Sequence, residues 1–487
     1  MQEPYWKLKN VFRNIKFKIL YFFFVFFTYV DIIIIVRETI GGMDMKVIII
    51  GGSATGMGVA ARLRRNDPKI DITVYQDKSY VSLGACGLPY YVADEFENEN
   101  LMLARTINDF EKMNIQVHSN KKVKKIDFES KKVILEDGAD SYDYLTIAVG
   151  AKPIVPNIVG INTNNVFTLT TLEDGKNLKN ALLNNDSIEK ITIVGGGFIG
   201  LEMCETLSKI GKKVNLIEME EELSSKSFDS EITTLIKDKL IEKEIEVFLG
   251  AQVTEILNEN GNVSGVVLKN GEVIKTQAVL LCVGFKPNTE FLKDTNLKLI
   301  NNGAILVNKL GETNIKDVYA GGDCATSKNF ITGEDIYSPL ATVASKFSRV
   351  IADNIVGKNI SFEGSIQSSI IRIFDLEVAR TGLTEKYAKE KNMDVKSIFI
   401  KDKDFTHYVN GQSDLYLKLI MNNKDKTIIG AQMCGSNKAV LRINALAAMI
   451  WNKTIIDKHL EQVDLVYSPP FSKTTDIIHI AISNILK

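Results

Sequence analysis

Short apolar runs that end in glycine-rich turns divide the first three quarters of the chain into repeated units. Residues 45–61 read M-K-V-I-I-I-G-G-S-A-T-G-M-G-V-A-A, which predicts a buried strand, a tight turn and a helix that continues to Arg65. The same order returns at 191–202 as I-T-I-V-G-G-G-F-I-G-L-E. Further strands are predicted at 71–75, 142–151, 214–217 and 279–284. The pattern predicts two α/β units of the dinucleotide-binding kind, with the second inserted into the first.

The pattern changes from about Ser365 onwards, where no glycine-turn motif occurs. The runs 370–374 and 415–420 are typical of strands, 440–451 is typical of a helix, and a tail at 466–471 reads V-Y-S-P-P-F. These features predict a third domain of the α+β class. Its apolar faces favour pairing with a second subunit.

Composition excludes several classes of function. With 45% hydrophobic and 24% charged residues, the chain is ordinary globular material. A net charge of -1 gives no field that would gather nucleic acid. The five cysteines are scattered and include no C-x-x-C, which argues against a disulfide framework and against a zinc cluster. We therefore expect no metal site, no nucleic-acid partner and a reducing cytoplasmic setting.

The first 44 residues carry a long apolar run that sets them apart. Residues 19–36 are nearly long enough to span a bilayer and follow five basic residues, which is typical of a membrane anchor. Asp31 opposes this interpretation, because a carboxylate near the centre of a spanning helix costs about 2.5 to 3.5 kcal/mol. Met45 leads directly into the first strand. We favour a mis-called start, with the protein beginning at Met43 or Met45, and keep a membrane anchor through 19–36 as the alternative.

The second glycine turn carries the complete motif G-x-G-x-x-G, at Gly195, Gly197 and Gly200. The following strand ends at Glu218, where an acid can hydrogen-bond the 2′-hydroxyl of a ribose. A 2′-phosphate would be repelled there, and the carboxylates of residues 220–222 would add to the repulsion. The sequence therefore predicts NADH rather than NADPH, with a solvated charge at the end of the strand as the alternative for Glu218.

The first glycine turn departs from this motif. Gly51 and Gly56 hold its outer positions, but Ser53 holds the middle one. The place after the next strand is occupied by Gln76, followed by Asp77, which leaves the ribose contact of this unit open. Both turns still predict backbone amides and a helix N-terminus that meet a pyrophosphate.

One cysteine lies in a stretch of small residues: Cys86, within S-L-G-A-C-G-L-P-Y-Y at 82–91. A thiol with an ordinary pKa of about 8.5 reacts near neutrality only beside positive charge or a helix N-terminus. Gly84, Ala85 and Gly87 would let another group approach the sulfur. We predict redox chemistry at Cys86, against the alternative of a buried structural thiol.

The chain resembles the single-cysteine branch of the FAD-dependent pyridine nucleotide-disulfide oxidoreductases, most closely the coenzyme A-disulfide reductases. The resemblance runs from Met45 to the C-terminus and rests on the stretches above, together with Y-A-G-G-D at 319–323, F-D-L-E-V-A-R-T-G-L-T at 374–384 and D-L-V-Y-S-P-P-F-S at 464–472. It implies an α/β fold with two Rossmann-like domains and a C-terminal α+β dimerisation domain. The implied bounds are 45–156 and 285–364 for FAD binding, 157–284 for NAD binding and 365–487 for dimerisation as a homodimer.

The resemblance also implies a reaction. NADH would give hydride to FAD, and the reduced flavin would cleave a mixed disulfide between Cys86 and coenzyme A, leaving a thiolate that attacks the next coenzyme A disulfide. Tyr467 matches the family tyrosine that approaches the sulfur from the partner subunit, and Tyr408 is a second candidate. Contacts to coenzyme A phosphates, or alternatively a solvated basic helix end, are implied for Arg62, Arg64 and Arg65.

For the cofactors, the resemblance implies an aromatic gate over the flavin at Phe198 and a carboxylate near the nicotinamide at Glu202, although helix packing is an equal alternative for both. Asp323 is suited to a ribityl hydroxyl of the flavin. The remaining expected cofactor contacts lie in the glycine turns and at strand ends: Gly51, Gly52, Ser53, Ala54, Gly56, Gln76, Asp77, Ser82, Ala148, Gly150, Gly195, Gly197, Gly200, Glu218 and Gly284.

The main rival function is peroxide or oxygen reduction. NADH oxidases and peroxidases of the same branch cycle the cysteine as a sulfenic acid, usually with a histidine in the first glycine loop. Ala54 stands at that place here, which favours a disulfide over peroxide. Reduction of a polysulfide or persulfide stays open.

Overall fold

The computed structural model describes residues 45–183 and 187–487. The start site and the membrane anchor considered for residues 1–44 lie outside the described residues. Among the helices that are described, none combines the length and the apolar content that a bilayer crossing needs.

The first nucleotide unit begins with the predicted strand, turn and helix. Its first strand alternates between two cores: Val47 and Ile49 pack on one face of the sheet, Ile48 and Ile50 on the other. Burial of both faces explains the unbroken apolar run. The elements are β1 (Lys46–Ile50), α1 (Ala54–Asn66), β2 (Asp71–Tyr75), α2 (Leu88–Val92), α3 (Ile107–Glu111), β3 (Gln116–His118), β4 (Lys125–Asp127), β5 (Lys132–Ile134), β6 (Ala139–Ser141), β7 (Tyr144–Ile147) and β8 (Ala151–Pro153).

The second nucleotide unit repeats this plan. Its parallel sheet has the order β12-β11-β10-β16-β9, and a small antiparallel sheet, β13-β14-β15, lies beside it. The elements are β9 (Val166–Phe167), α4 (Leu172–Leu183), β10 (Lys190–Val194), α5 (Phe198–Lys209), β11 (Lys213–Ile217), α6 (Ser230–Glu242), β12 (Glu246–Phe248), β13 (Val253–Glu259), β14 (Asn262–Leu268), β15 (Val273–Lys275) and β16 (Ala278–Leu281).

The chain then returns to the first unit. The outgoing strand β8 and the returning strand β17 pair antiparallel, with Phe285 opposite Pro153. β18 completes the first parallel sheet, in the order β18-β7-β1-β2-β3, and α7 packs against α1. The elements are β17 (Phe285–Pro287), β18 (Val318–Ala320), β19 (Thr326–Lys328), β20 (Asp335–Tyr337) and α7 (Ala341–Ile355).

The last part of the chain forms an antiparallel sheet in the order β21-β22-β25-β24-β23. The first hairpin turns one residue earlier than predicted, because Phe374 adopts a φ of +58°, in the left-handed region. The helix predicted at 440–451 is a 3-10 turn at Ala439–Arg442 followed by α9. The elements are β21 (Ser369–Ile373), β22 (Leu376–Gly382), α8 (Glu385–Glu390), β23 (Val395–Lys403), β24 (Asp414–Asn422), β25 (Ile428–Gly435), α9 (Ile443–Trp451) and α10 (Ile477–Ile485).

Two parallel α/β sheets followed by an antiparallel sheet with helices are the architecture that the sequence predicts, so the predicted fold class is confirmed. The exact domain bounds stay a prediction.

Candidate active site

The first glycine turn has no room for a side chain at the two glycines that hold the outer positions of its motif. Gly51 adopts a φ of +108°, and a Cβ atom there would lie 2.1 Å from the carbonyl oxygen of Ala148. A Cβ on Gly56 would lie 1.8 Å from the carbonyl oxygen of Gly51. Helix α1 therefore begins tightly against β1 and the end of β7. Ser53, its N-cap residue, makes no side-chain capping hydrogen bond, which leaves amides at this N-terminus for an anionic group.

The second glycine turn has the same geometry. Gly195 adopts a φ of +111° with its Cβ position 2.4 Å from the carbonyl oxygen of Cys282, and the Cβ position of Gly200 lies 2.0 Å from the carbonyl oxygen of Gly195. Gly197, the N-cap residue of α5, has open space at its Cβ position. Both turns fit the pyrophosphate of a dinucleotide.

Gln76 and Glu218 occupy equivalent places in the two units. Glu218 accepts hydrogen bonds from the backbone N–H of Gly196 (2.6 Å) and of Glu220 (2.9 Å). Gln76 is buried and accepts one from the N–H of Gly52 (3.1 Å), the counterpart of Gly196. The first unit thus uses a neutral amide where the second uses a carboxylate, and the neighbouring Asp77 is exposed.

A cleft in the second unit brings five of the predicted contacts together. Its wall includes the second glycine turn, the carboxylate at the end of β11 and the strand end after β16: Gly195, Gly197, Phe198, Glu218 and Gly284. The ring of Phe198 packs at 5.8 Å from that of Phe228. This packing holds Phe198 at the start of α5, at the edge of the cleft.

The flavin contacts predicted in the first unit also meet around α1. The N–H of Ser82 donates to the carbonyl oxygen of Gly52 (2.8 Å), and Gly150 turns with a φ of +65° beside β7. Gly322 approaches Thr55 so closely that a Cβ would lie 2.4 Å from the threonine Oγ1. Asp323 therefore follows next to the N-terminus of α1, and burial raises its pKa. These residues fit FAD.

Cys86 is an exposed free thiol between the two nucleotide units, near enough to Glu202 of the second unit and Asp323 of the first for both carboxylates to affect its pKa. It lies in a 3-10 turn, Ala85–Gly87, that leads into α2. The other cysteines are buried or half-buried, and all five are free. Helix α2 packs against α4 and α5, and Thr206 on α5 donates to the carbonyl oxygen of Pro89 (3.3 Å). The second nucleotide unit therefore holds α2, the helix that directly follows Cys86, in place.

The small residues around Cys86 have a second use. The N–H of Gly84 donates to the carbonyl oxygen of Met102 (2.7 Å), and a Cβ on Gly87 would lie 3.0 Å from the Met102 side chain. Part of the space that these glycines leave is therefore filled by Met102 of the same chain.

The electrostatics at Cys86 differ from the expectation. Partial desolvation raises the pKa of its thiol, and the carboxylates of Glu202 and Asp323 raise it further. The positive side chain that would activate the sulfur is not found among the influences from the described part of one chain. The sequence did not reveal this because the three residues come from three distant segments.

Glu202 is half-buried on α5, and its surroundings raise its pKa. Burial, and then the charge of Glu205, raise the pKa of Glu202 to about 7, while Arg372 acts in the opposite direction. Arg372 Nη2 lies 3.4 Å from Glu205 Oε1. Arg372 and Glu205 were missed by sequence reasoning; a lone arginine inside the apolar run I-I-R-I-F was the available signal.

The three arginines predicted to contact coenzyme A are placed differently from one another. Arg62 forms two hydrogen bonds with Asp353, both 2.9 Å long. Arg64 donates to backbone carbonyl oxygens of residues 68 and 114. Arg65 is exposed. Contacts within the chain therefore use Arg62 and Arg64, as expected for a basic helix end, and Arg65 is the most accessible of the three.

The two tyrosine candidates lie together on the C-terminal domain. The hydroxyl oxygens of Tyr408 and Tyr467 are 3.4 Å apart, and both side chains are exposed. Val466 and Phe471 beside them are 91% and 73% exposed, which is unusual for apolar side chains and typical of a surface that meets another chain.

Two glycine turns of the dinucleotide-binding kind, an exposed free thiol and a carboxyl group whose pKa is raised to about 7 define a nucleotide-dependent redox enzyme. Comparison with protein families makes this specific. The family described as pyridine nucleotide-disulphide oxidoreductase matches residues 45–346, and the dimerisation domain of that family matches residues 368–476. The chain belongs to the pyridine nucleotide-disulphide oxidoreductases, which confirms the predicted family. Membership implies FAD and a pyridine nucleotide as cofactors.

Named relatives cover almost the whole described chain. The NAD(P)H coenzyme A polysulfide/persulfide reductase of Pyrococcus horikoshii is 34% identical over 447 residues, 91% of this chain and 99% of the relative. An NADH oxidase of Methanocaldococcus jannaschii is 29% identical over 449 residues, 91% and 99% of the two chains. The solved structure of an NAD-dependent persulfide reductase from A. fulgidus is similar with a TM-score of 0.86 and 34% identity, over 91% of this chain and 83% of that one.

Proposed function

We propose that this enzyme uses NADH to reduce coenzyme A disulfide, or a related coenzyme A persulfide, through FAD and Cys86. The observation that carries the proposal is the position of Cys86, an exposed thiol between the two nucleotide units. The names of the reductases from P. horikoshii and A. fulgidus support a sulfur acceptor. Ala54, in place of a histidine in the first glycine loop, supports a disulfide over peroxide.

The sulfur chemistry balances in two steps. The Cys86 thiolate attacks one sulfur of coenzyme A disulfide, so that a Cys86–coenzyme A disulfide forms and one coenzyme A thiolate leaves. Oxidation of NADH to NAD⁺ then supplies two electrons and releases one proton, and the two electrons break the mixed disulfide into the Cys86 thiolate and a second coenzyme A thiolate. Bound FAD would supply the relay for these electrons between the nucleotide and the sulfur.

The chain's own residues perform the remaining tasks in this proposal. We assign the pyrophosphates to the two glycine turns, the FAD ribose and ribityl hydroxyls to Gln76 and Asp323, and the NADH ribose to Glu218. Glu202, with a pKa raised to about 7, is the candidate carboxyl beside the nicotinamide. Arg65 is the candidate for a coenzyme A phosphate.

A second subunit completes the proposed site. Partial desolvation, and then the carboxylates of Glu202 and Asp323, raise the pKa of the Cys86 thiol, and in this proposal the partner subunit supplies the group that activates it. A homodimer would bring Tyr467 of the partner subunit to the sulfur, with Tyr408 beside it. The exposed apolar side chains next to Tyr467 support this use of the surface.

Five free cysteines fit a reducing cytoplasm.

The test compares acceptors on one preparation. FAD-loaded enzyme is supplied with NADH and, separately, with coenzyme A disulfide, a polysulfide, hydrogen peroxide or oxygen, and NADH consumption is measured. We expect the highest kcat/KM with a sulfur acceptor and loss of that activity in Cys86→Ser. Cys434→Ala, which removes a buried thiol elsewhere, is the matched control and should retain it. Faster turnover with peroxide or oxygen, or full disulfide activity in Cys86→Ser, would contradict the proposal.

The preference for NADH has its own test. Two unit charges about 4 Å apart near a protein surface repel by about 4 kcal/mol before salt screening, so Glu218 should disfavour NADPH by at least roughly a hundredfold in kcat/KM. Glu218→Gln should reduce this preference by roughly tenfold. Of the carboxylates at 220–222 that were expected to add to the repulsion, Glu221 lies outside the nucleotide cleft, so Glu221→Gln is the control. A wild-type preference for NADPH would refute this assignment.

A further inference from the structure

The segment 219–229 forms a wall between the nucleotide cleft and the C-terminal domain. It begins directly after Glu218, and its residues line the cleft on one side and a second, polar cavity on the other. The N–H and the hydroxyl of Ser224 both donate to the carbonyl oxygen of Gly196, at 3.0 and 2.9 Å. The segment is thus tied to the glycine turn that Glu218 also contacts, and the N–H of Glu220 at the start of the segment donates to the Glu218 carboxylate (2.9 Å).

The far end of this segment is held by the C-terminal domain. The backbone N–H of Asp229 donates to Gln432 Oε1 (2.8 Å), and Gln432 Nε2 donates to Asp229 Oδ2 (2.5 Å). The carboxylate of Asp229 also accepts from the N–H of Glu385 (2.9 Å) and of Lys386 (3.0 Å). Although Asp229 stands at the N-cap of α6, its side chain does not cap that helix. It caps α8 of the other domain.

Buried cations of the same domain complete this contact. Lys418 is 3% exposed at its side chain, and its Nζ lies 3.6 Å from Asp229 Oδ2 at the end of the segment, besides 2.8 Å from Glu231 and 2.8 Å from Glu385. Arg380 is buried and donates to the carbonyl oxygen of Lys226 at 3.4 Å. Removing such charges from water is costly unless they are paired. The pairing therefore favours a single arrangement of the segment against the C-terminal sheet.

We infer that Gln432 of the dimerisation domain is a positioning residue for nucleotide binding: it holds Asp229, and through segment 219–229 it keeps Glu218 at the ribose site. The inference rests on the proposed role of Glu218. Gln432 is 1% exposed and does not line the cleft, so it acts only through the segment.

The expected loss of nucleotide affinity depends on the fraction of molecules in which segment 219–229 has the arrangement that binds nucleotide. When only a fraction of the molecules has the binding-competent segment, the apparent dissociation constant rises by the inverse of that fraction. A fraction of about one tenth in the absence of the two Gln432 hydrogen bonds gives a roughly tenfold weaker nucleotide complex. The rate of hydride transfer at saturating NADH should stay unchanged, because bound nucleotide selects the ordered segment.

The experiment uses the full-length, FAD-loaded protein and the variant Gln432→Met, which keeps the volume of the side chain and removes both hydrogen bonds. Thr381→Val is the matched control: Thr381 is fully buried in the neighbouring strand and shares a hydrogen bond with Ser368, away from the segment. Calorimetric titration with NAD⁺ gives the dissociation constant, stopped-flow reduction by NADH gives the limiting rate, and deuterium exchange reports on residues 219–229. Asp229→Asn is measured in parallel, so that a failure of Gln432→Met to fold does not end the test.

We expect Gln432→Met to weaken NAD⁺ binding roughly tenfold, with an unchanged limiting rate and faster exchange at 219–229, while Thr381→Val changes none of these. Equal dissociation constants for wild type and Gln432→Met, or equal weakening in Thr381→Val, would overturn the inference and leave the proposed function intact. If wild-type protein binds no NAD⁺, the proposed function itself fails.

Discussion

The raised pKa of Glu202 leads to an unusual expectation: removing this charge should stabilise the enzyme. Burial and the charge of Glu205 raise the pKa from its ordinary value near 4.5 to about 7. One pKa unit corresponds to about 1.4 kcal/mol, so ionised Glu202 costs the folded protein up to about 3 kcal/mol. Between pH 4.5 and 7 the folded state binds the proton more tightly than the unfolded state, and stability falls as the pH rises.

The side chain of Glu202→Gln carries no charge at any pH, so the variant does not lose stability as the pH rises through 7. We expect the variant to be more stable than wild type at pH 8.5, by up to about 3 kcal/mol, and equally stable at pH 4.5. The measurement is unfolding of the FAD-loaded protein in urea at both pH values. The variant should also lose an ionisation near pH 7 from the pH dependence of flavin reduction, because no carboxyl remains to titrate there.

Glu205→Gln is the matched control, one turn further along the same helix. Glu205 accepts a hydrogen bond from the N–H of Phe374 (2.8 Å) and pairs with Lys209 (2.8 Å). Its replacement should destabilise the protein by about 1 to 3 kcal/mol at pH 4.5, since it weakens charge-assisted contacts of a buried group, and by less at pH 8.5, where ionised Glu202 no longer faces its charge. A Glu202→Gln variant that is destabilised at pH 8.5 in the same way would refute our explanation of the Glu202 environment.

Two further outcomes follow from the contacts described. Burial opposes ionisation of Asp353, but hydrogen bonds from Arg62, Asn66 and Lys358 lower its pKa to about 2. Asp353→Asn should therefore cost about 2 kcal/mol at pH 7, a loss that shrinks as the pH falls below 4 and is checked by urea unfolding at pH 7 and 3.5; a difference independent of pH would contradict it. Tyr467→Phe should lower kcat for coenzyme A disulfide at least roughly tenfold, as expected for a lost proton-transfer group. Reduction of the flavin by NADH should be unchanged, and an equal loss in that step would show that the hydroxyl serves folding.

The sequence predicted the parts of the fold that depend on local patterns. The buried strand at 46–50 follows from an apolar run, and the turns at Gly51 and Gly195 follow from glycines that admit a positive φ. Each of these signals lies within a few consecutive residues, so it can be recognised from the sequence alone. Cys86 was found because small residues surround it. The electrostatics of the site were not predicted, because they depend on residues that folding brings together.

Contacts between distant residues mark the limit of such reasoning. Asp229 and Gln432 are 203 positions apart, and Glu205 and Arg372 are 167 positions apart. A buried glutamine within an apolar strand gives no local sign of its partner. Likewise, the sequence alone allows Arg62 either a structural role at the end of its helix or a contact with a ligand phosphate. Its two hydrogen bonds with Asp353 favour the structural role.

The pairing of β8 with β17 keeps down the free-energy cost of inserting the second nucleotide unit into the first. The chain leaves through β8 and returns through β17 with Pro153 opposite Phe285, so the whole excursion closes at one short two-stranded ribbon. The entropy of closing a loop rises only with the logarithm of its length, by about 0.6 kcal/mol for each doubling. Inserting an entire domain at this ribbon therefore costs the first unit little more than inserting an ordinary surface loop, and the domain's own core can offset that cost.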